Sequence, residues 1–173
     1  MIYFTADTHF SHRNIIKYCN RPFSSIEEHD EVIITNWNSV VRKNDIVYHL
    51  GDFAFGDVQK HLRRLNGNIH LILGSHDKNT KNCKHLFASY NQLLNTKIEG
   101  INITLSHCSM RIWHKSHYNA FSLYGHSHGM LEPWGKSFDC GVDTNNFYPY
   151  SWEQVKDKMN TLPDNFNLVR SKL

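Results

Sequence analysis

IYFTADTH, residues 2–9, is a short apolar run that ends on an aspartate and a histidine. A β-strand buried on both faces reads this way, delivering polar side chains at its carboxyl end. The figure recurs four times along the chain. Residues 45–50 run into Gly51, Asp52 and Phe53, and residues 69–73 into Gly74, Ser75, His76 and Asp77. Residues 101–105 run into Ser106 and His107, and residues 121–124 into Gly125, His126, Ser127 and His128. Layered α/β folds gather their ligands where strand carboxyl ends converge. Carboxylates and imidazoles collected there are costly to bury unless cations hold them. A mixed nitrogen and oxygen donor set suits Mn, Fe, Zn or Ni better than Ca or Mg.

Helical patterns separate the first strands. Ser25 and Glu28 form a capping-box pair, after which Ile26, Val32, Ile33, Trp37, Val40 and Val41 recur at helical spacing. A shorter helix is expected over residues 58–65, stopped by Asn66 and Gly67, and a third near Lys84. Residues 93–98 and 101–105 flank Glu99 and Gly100 as a hairpin does. Ser151 and Gln154 form a second capping box, opening a helix to about Met159, with a plain tail after Pro163.

The 173 residues suffice for a single domain spanning 1–173 with a real core. An N-terminus without a basic leader, no membrane-length apolar run, and four cysteines (Cys19, Cys83, Cys108, Cys140) without a CxxC pair predict reduced thiols and a cytoplasmic protein with no membrane partner. Cys108, beside His107, can bring its sulfur near the metals, although a small packing residue is the plainer account. A formal charge of +3, with thirteen histidines counted neutral, tilts the chain weakly towards anionic partners and lacks the stripe that long nucleic acids require.

In this order, DTH, GDF, GSHD, SH and GHSH resemble the motif set of the calcineurin-like metallophosphoesterases, in particular the small bacterial and bacteriophage proteins of phosphoesterase type. The match covers residues 7–128. The resemblance implies an α/β fold, a four-layer α-β-β-α sandwich of two packed mixed sheets flanked by helices. It implies two divalent metal ions, Mn²⁺ first, with Fe, Zn or Ni as alternatives. By motif, Asp7, His9 and His128 hold one ion, His107 and His126 the other, and Asp52 bridges both. His76 stands beside the phosphate as the catalytic histidine and Asp77 orients its ring. The activity implied is metal-dependent phosphohydrolysis, with a metal-bridging hydroxide attacking a phosphomonoester or phosphodiester. One position departs from the family pattern: Ser75 stands where an asparagine ligates the second ion, so its contact is weak or water-mediated.

The DTH loop carries His12, Arg13 and Asn14, with Arg21 beyond it, and residues 108–119 carry Arg111 and Trp113; these are candidate substrate contacts. His29, His61 and His85 are expected on solvated helix faces, and His49 and His70 packed in strands. Asp139 and Asp143 are not needed as ligands. A small nucleotide-type phosphoester is the expected substrate. The alternatives are a nuclease acting on DNA or RNA, disfavoured by the scattered basic residues, and a noncatalytic scaffold with a residual metal site.

Overall fold

The computed structural model describes residues 1–169, and so all of the expected domain except its last four positions. Among the described residues nine strands form two mixed sheets: β1 (Ile2–Thr5), β2 (Ile46–His49), β3 (Asn68–Ile72), β4 (Ser89–Asn91), β5 (Leu93–Ile98), β6 (Ile101–Ser106), β7 (Phe121–Tyr124), β8 (Ser137–Asp139) and β9 (Tyr150–Ser151). The first sheet runs β4-β3-β2-β1-β9 and the second β5-β6-β7-β8. β1 to β4 are parallel with β9 antiparallel at the edge, while β6, β7 and β8 are parallel with β5 antiparallel. The expected α/β sandwich of two packed mixed sheets with helices is present.

Alternation along the strands sorts the core into two layers. Phe4, Leu50 and Ile72 meet Ile103, Leu105, Leu123 and Phe138 between the sheets. Tyr3, Val47, Ile69 and Leu71 face the other way, against Ile33, Ile34 and Trp37 of the long helix and Val58 of the short one. The helices are α1 (Ile15–Tyr18), α2 (Ile26–Val40), α3 (Val58–Leu62) and α4 (Trp152–Thr161). Trp152, Val155 and Met159 of α4 enter the layer between the sheets. None of the described helices is long and apolar enough to cross a membrane.

Local signals held with small shifts. Ser151 and Gln154 close their capping box in full. At α2, Ser25 accepts from the Glu28 amide, but the Glu28 carboxylate reaches back to the Ser24 amide and hydroxyl, one residue further than a capping box requires. Glu99 and Gly100 turn the β5–β6 hairpin with φ of 48° and 87°, the left-handed pair that a two-residue loop needs. α3 is shorter than expected, and residues 77–86 form 3₁₀ turns where a helix was expected near Lys84.

Candidate metal centre

Strand pairing continues past the strand ends and there builds the centre. The Asp7 amide donates to the Gly51 carbonyl at 2.9 Å and the His9 amide to the Asp52 carbonyl at 3.0 Å, so the DTH and GDF turns lie side by side. In the second sheet the Gly125 amide donates to the His107 carbonyl at 2.9 Å. The two sheets meet where the Val142 amide donates to the Ala6 carbonyl and the His126 amide to Asp7 Oδ2. A Cβ on Gly125 would lie 2.6 Å from Asp7 Oδ2, so only glycine lets these turns approach.

Six residues from four turns now converge. Asp52 Oδ2 lies 3.6 Å from His9 Nε2 and 3.5 Å from His107 Nε2, so one oxygen stands between two imidazoles. Its other oxygen accepts from the His76 amide at 2.8 Å. Asp7, His9 and His128 each offer a ligand atom within one 4.8 Å group, as do Asp7, Asp52 and His107. His126 joins through its ring, whose centroid is 5.0 Å from that of His107.

Hydrogen bonds at the far ring atoms settle which lone pairs face inward. His107 Nδ1 donates to the Leu50 carbonyl at 2.8 Å and His128 Nδ1 to Asp143 Oδ2 at 2.8 Å, leaving each Nε2 for the centre. Asp7 Oδ1, His9 Nε2 and His107 Nε2 are buried with no hydrogen-bond partner among the described residues. Burial pushes the His9 ring down to about 2, so it is neutral, and its short approach to Asp52 is not an ion pair. Lone pairs on oxygen and nitrogen thus face one another across a gap, an arrangement that divalent cations relieve. The residues fit divalent ions, with Asp7, His9 and His128 in one donor group and Asp7, Asp52 and His107 in another.

Backbone strain marks the same residues. Asp7, His9, Asp52, His126 and His128 all have left-handed φ, between 47° and 69°. Each such position costs on the order of 1–3 kcal/mol and persists only where surroundings over-determine it.

Four candidates take different roles from those expected. Asp77 does not orient the His76 ring; its carboxylate accepts from the amides of Asp52, Phe53 and Gly74 at 2.7–2.9 Å, fixing the turn that presents Asp52. Arg21 is no substrate contact. Its buried fork donates twice to Asp143 at 2.7 Å, to the Asp7 carbonyl at 2.7 Å and to His29 Nε2 at 2.7 Å. Trp113 is buried, its indole donating to the Ala120 carbonyl, and the Arg111 guanidinium lies over Trp134. His29 and His61 are buried too, linked through Asp30 and Ser11, where solvation was expected; His85 is exposed. Asp143, not needed as a ligand, has a supporting role instead. It braces His128, and because both its oxygens are engaged by Arg21 and His128 it is a brace and not a ligand.

A cavity of about 540 Å³ opens over the centre. His9, Asp52, His126 and His128 form its floor, and His12, Ile15, Tyr18, Phe55, His76 and Met130 line its walls. His12 stacks on Phe55 with centroids 3.9 Å apart. No lysine or arginine lines it among the described residues, so Arg13 stands outside; Asn14 is exposed ahead of α1. Ser75 is exposed, in a neighbouring hollow with His107 and Cys108.

Metal uptake is expected to release protons in a pH-dependent way. Burial, with some repulsion from Asp139 and Asp52, pushes Asp7 up to about 7 despite the nearby His128 and His107. Burial works to lower His128, but the Asp143 bond outweighs it and pushes the ring up to about 10. Both must lose their protons to act as ligands. Calorimetry in buffers of different ionisation enthalpy should show proton release falling as pH rises from 6 to 8.5, as Asp7 deprotonates beforehand, while the His128 proton is still released at the upper end. A pH-independent count contradicts this picture.

The uncharacterised protein MJ1445 of Methanocaldococcus jannaschii is 36% identical over 166 residues, 89% of this chain and 88% of that protein. Among solved structures, AQ665 of Aquifex aeolicus, a protein of unknown function, superposes with a TM-score of 0.73 at 28% identity, covering 91% of this chain and 98% of that one. The phosphoesterase Yfce of E. coli superposes with a TM-score of 0.47 at 19% identity, over 81% of this chain and 77% of that one. No family model matches the chain.

Proposed function

We propose that this chain, which belongs to one family with MJ1445, is a metal-dependent phosphoesterase of calcineurin-like type; its ordered motif set and two-sheet sandwich support the reading. Its substrate is a small phosphomonoester or phosphodiester of nucleotide type. The observation that carries the reading is the set of unpartnered buried atoms, Asp7 Oδ1, His9 Nε2 and His107 Nε2, gathered around Asp52 beneath an open cavity.

Two divalent ions at such a centre supply an activated water and neutralise phosphoryl charge. The chain's own groups do the rest. Asp7, His9, His128 and Asp52 present one donor set and Asp52, His107 and His126 the other. Asp143 and Leu50 fix the tautomers of His128 and His107. His76 is held at its backbone by Asp52 and leaves its ring on the cavity wall, 5.2 Å from Phe55 between centroids, where it can protonate a departing oxygen. Ile15, Tyr18, Phe55 and Met130 give the organic part of the substrate an apolar wall. A cavity of this size suits a small molecule, and the absence of basic residues on its described walls speaks against a long polyanion. Five left-handed ligand-type residues around unpartnered buried atoms favour a catalytic centre over a scaffold.

Chelator-stripped protein titrated with Mn²⁺ against paired chromogenic monoester and diester substrates tests the reading. Saturable, metal-dependent turnover is expected. His76→Ala should lower it by about 10²–10⁴-fold for esters with poor leaving groups and by less for nitrophenyl esters, which need no proton. Absence of turnover with every metal would refute the proposal.

A further inference from the structure

The two halves of the centre are unequally provided. The first has four donor residues, Asp7, His9, His128 and Asp52, whereas the second has His107, His126 and the shared Asp52. The residue directly after His107 offers this half a further donor: Cys108, His107 and His126 each offer a ligand atom, all within 4.8 Å of one another.

Three independent observations point the same way. His107 Nδ1 is committed to the Leu50 carbonyl, so its Nε2, buried and unpartnered, is the atom left to face a ligand. Packing does not explain the cysteine, because Cys108 is exposed while Cys140 is the buried one. The backbone holds the group in place: Ser106 Oγ donates to the Cys108 carbonyl at 2.9 Å, and the Gly125 amide ties the His126 turn to His107. Ser75 shares the same hollow with Cys108, and between a neutral hydroxyl and a thiolate the sulfur is the stronger donor for a soft or borderline cation.

We infer that Cys108 is a metal ligand, its thiolate completing the second ion's shell with His107, His126 and Asp52. This rests on the metal-centre reading above. On binding, the S–H bond breaks, a metal–sulfur bond forms and the proton passes to solvent, with no change of oxidation state. The centre is then asymmetric. Its first half is nitrogen and oxygen only, while its second favours Zn²⁺, Co²⁺ or Fe²⁺ over Mn²⁺.

Co²⁺ loading provides the test without recourse to activity. The wild-type protein should show thiolate-to-cobalt charge transfer in the near ultraviolet together with visible ligand-field bands. Cys108→Ser should lose the charge-transfer band, keep the visible bands and bind the second Zn²⁺ at least about tenfold more weakly. Cys19→Ser, which removes the thiol beside His128, should keep the charge-transfer band. Visible bands without charge transfer in the wild type, or charge transfer surviving in Cys108→Ser, would overturn the inference while leaving the metal centre standing. Absence of all cobalt bands would remove the metal centre and the inference with it.

Discussion

Asp52→Ala is expected to abolish metal-dependent hydrolysis, with turnover down by at least about a thousandfold, and to abolish the metal-induced rise in thermal stability. The reason lies in one oxygen. Asp52 Oδ2 is within 3.6 Å of His9 Nε2 and 3.5 Å of His107 Nε2, so its loss strips a donor from both halves at once. Charge neutralisation by bound ions is worth several kcal/mol of transition-state stabilisation, and each 1.4 kcal/mol or so is a factor of about ten. Without metal the variant should be little worse than the wild type. It loses the bond from the His76 amide but also removes a carboxylate that repels Asp7. Parallel melting curves with and without Mn²⁺ separate the two effects. A variant that still gains stability from metal would contradict a shared oxygen.

Arg21→Ala is the second large effect, and it acts from outside the centre. The side chain is fully buried and joins Asp143, His29 and the carbonyls of Asp7 and Thr8. Removing one partner of a buried ion pair typically costs about 3–5 kcal/mol, because the other charge is left uncompensated. Here Asp143 would keep only His128, whose ring it braces, and the Asp7 turn would lose its anchor. Burial works to raise Asp143, but its bonds from His128 and Arg21 hold it at about 2. A depressed carboxylate contributes stability above its unfolded pKa, lost as pH falls through the folded one. The wild type should therefore shed this contribution between about pH 4 and pH 2, and Arg21→Ala should show a flatter profile there. Arg21→Lys, which keeps the charge without the fork, should fall between them. Urea midpoints close to wild type for both variants would place Arg21 outside the support of the centre.

The residues that converge on the candidate centre were legible because each closes an apolar run, a pattern local to a few residues. Their backbone strain was not, since a left-handed φ at Asp7 or His128 leaves no mark that separates it from an ordinary turn. The misread residues share a physical cause. Arg21 meets Asp143 across 122 positions, so nothing near either residue announces the pair. His29 and Asp30 sit next to each other on α2 and read as a polar face; both are buried because Arg21 and His61 close over them. Asp77 is satisfied by backbone amides, which have no signature in sequence. Strands β8 and β9, of three and two residues, are too short to carry a period.

The central claim is that this fold holds two divalent ions on donors joined by Asp52. The most direct test is the metal content of chelator-stripped protein after reloading with Mn²⁺ or Zn²⁺ and desalting, measured beside Asp52→Ala. Two ions per chain in the wild type, and clearly fewer in the variant, is the result expected. A wild type that retains none, or a variant that retains both, would contradict it.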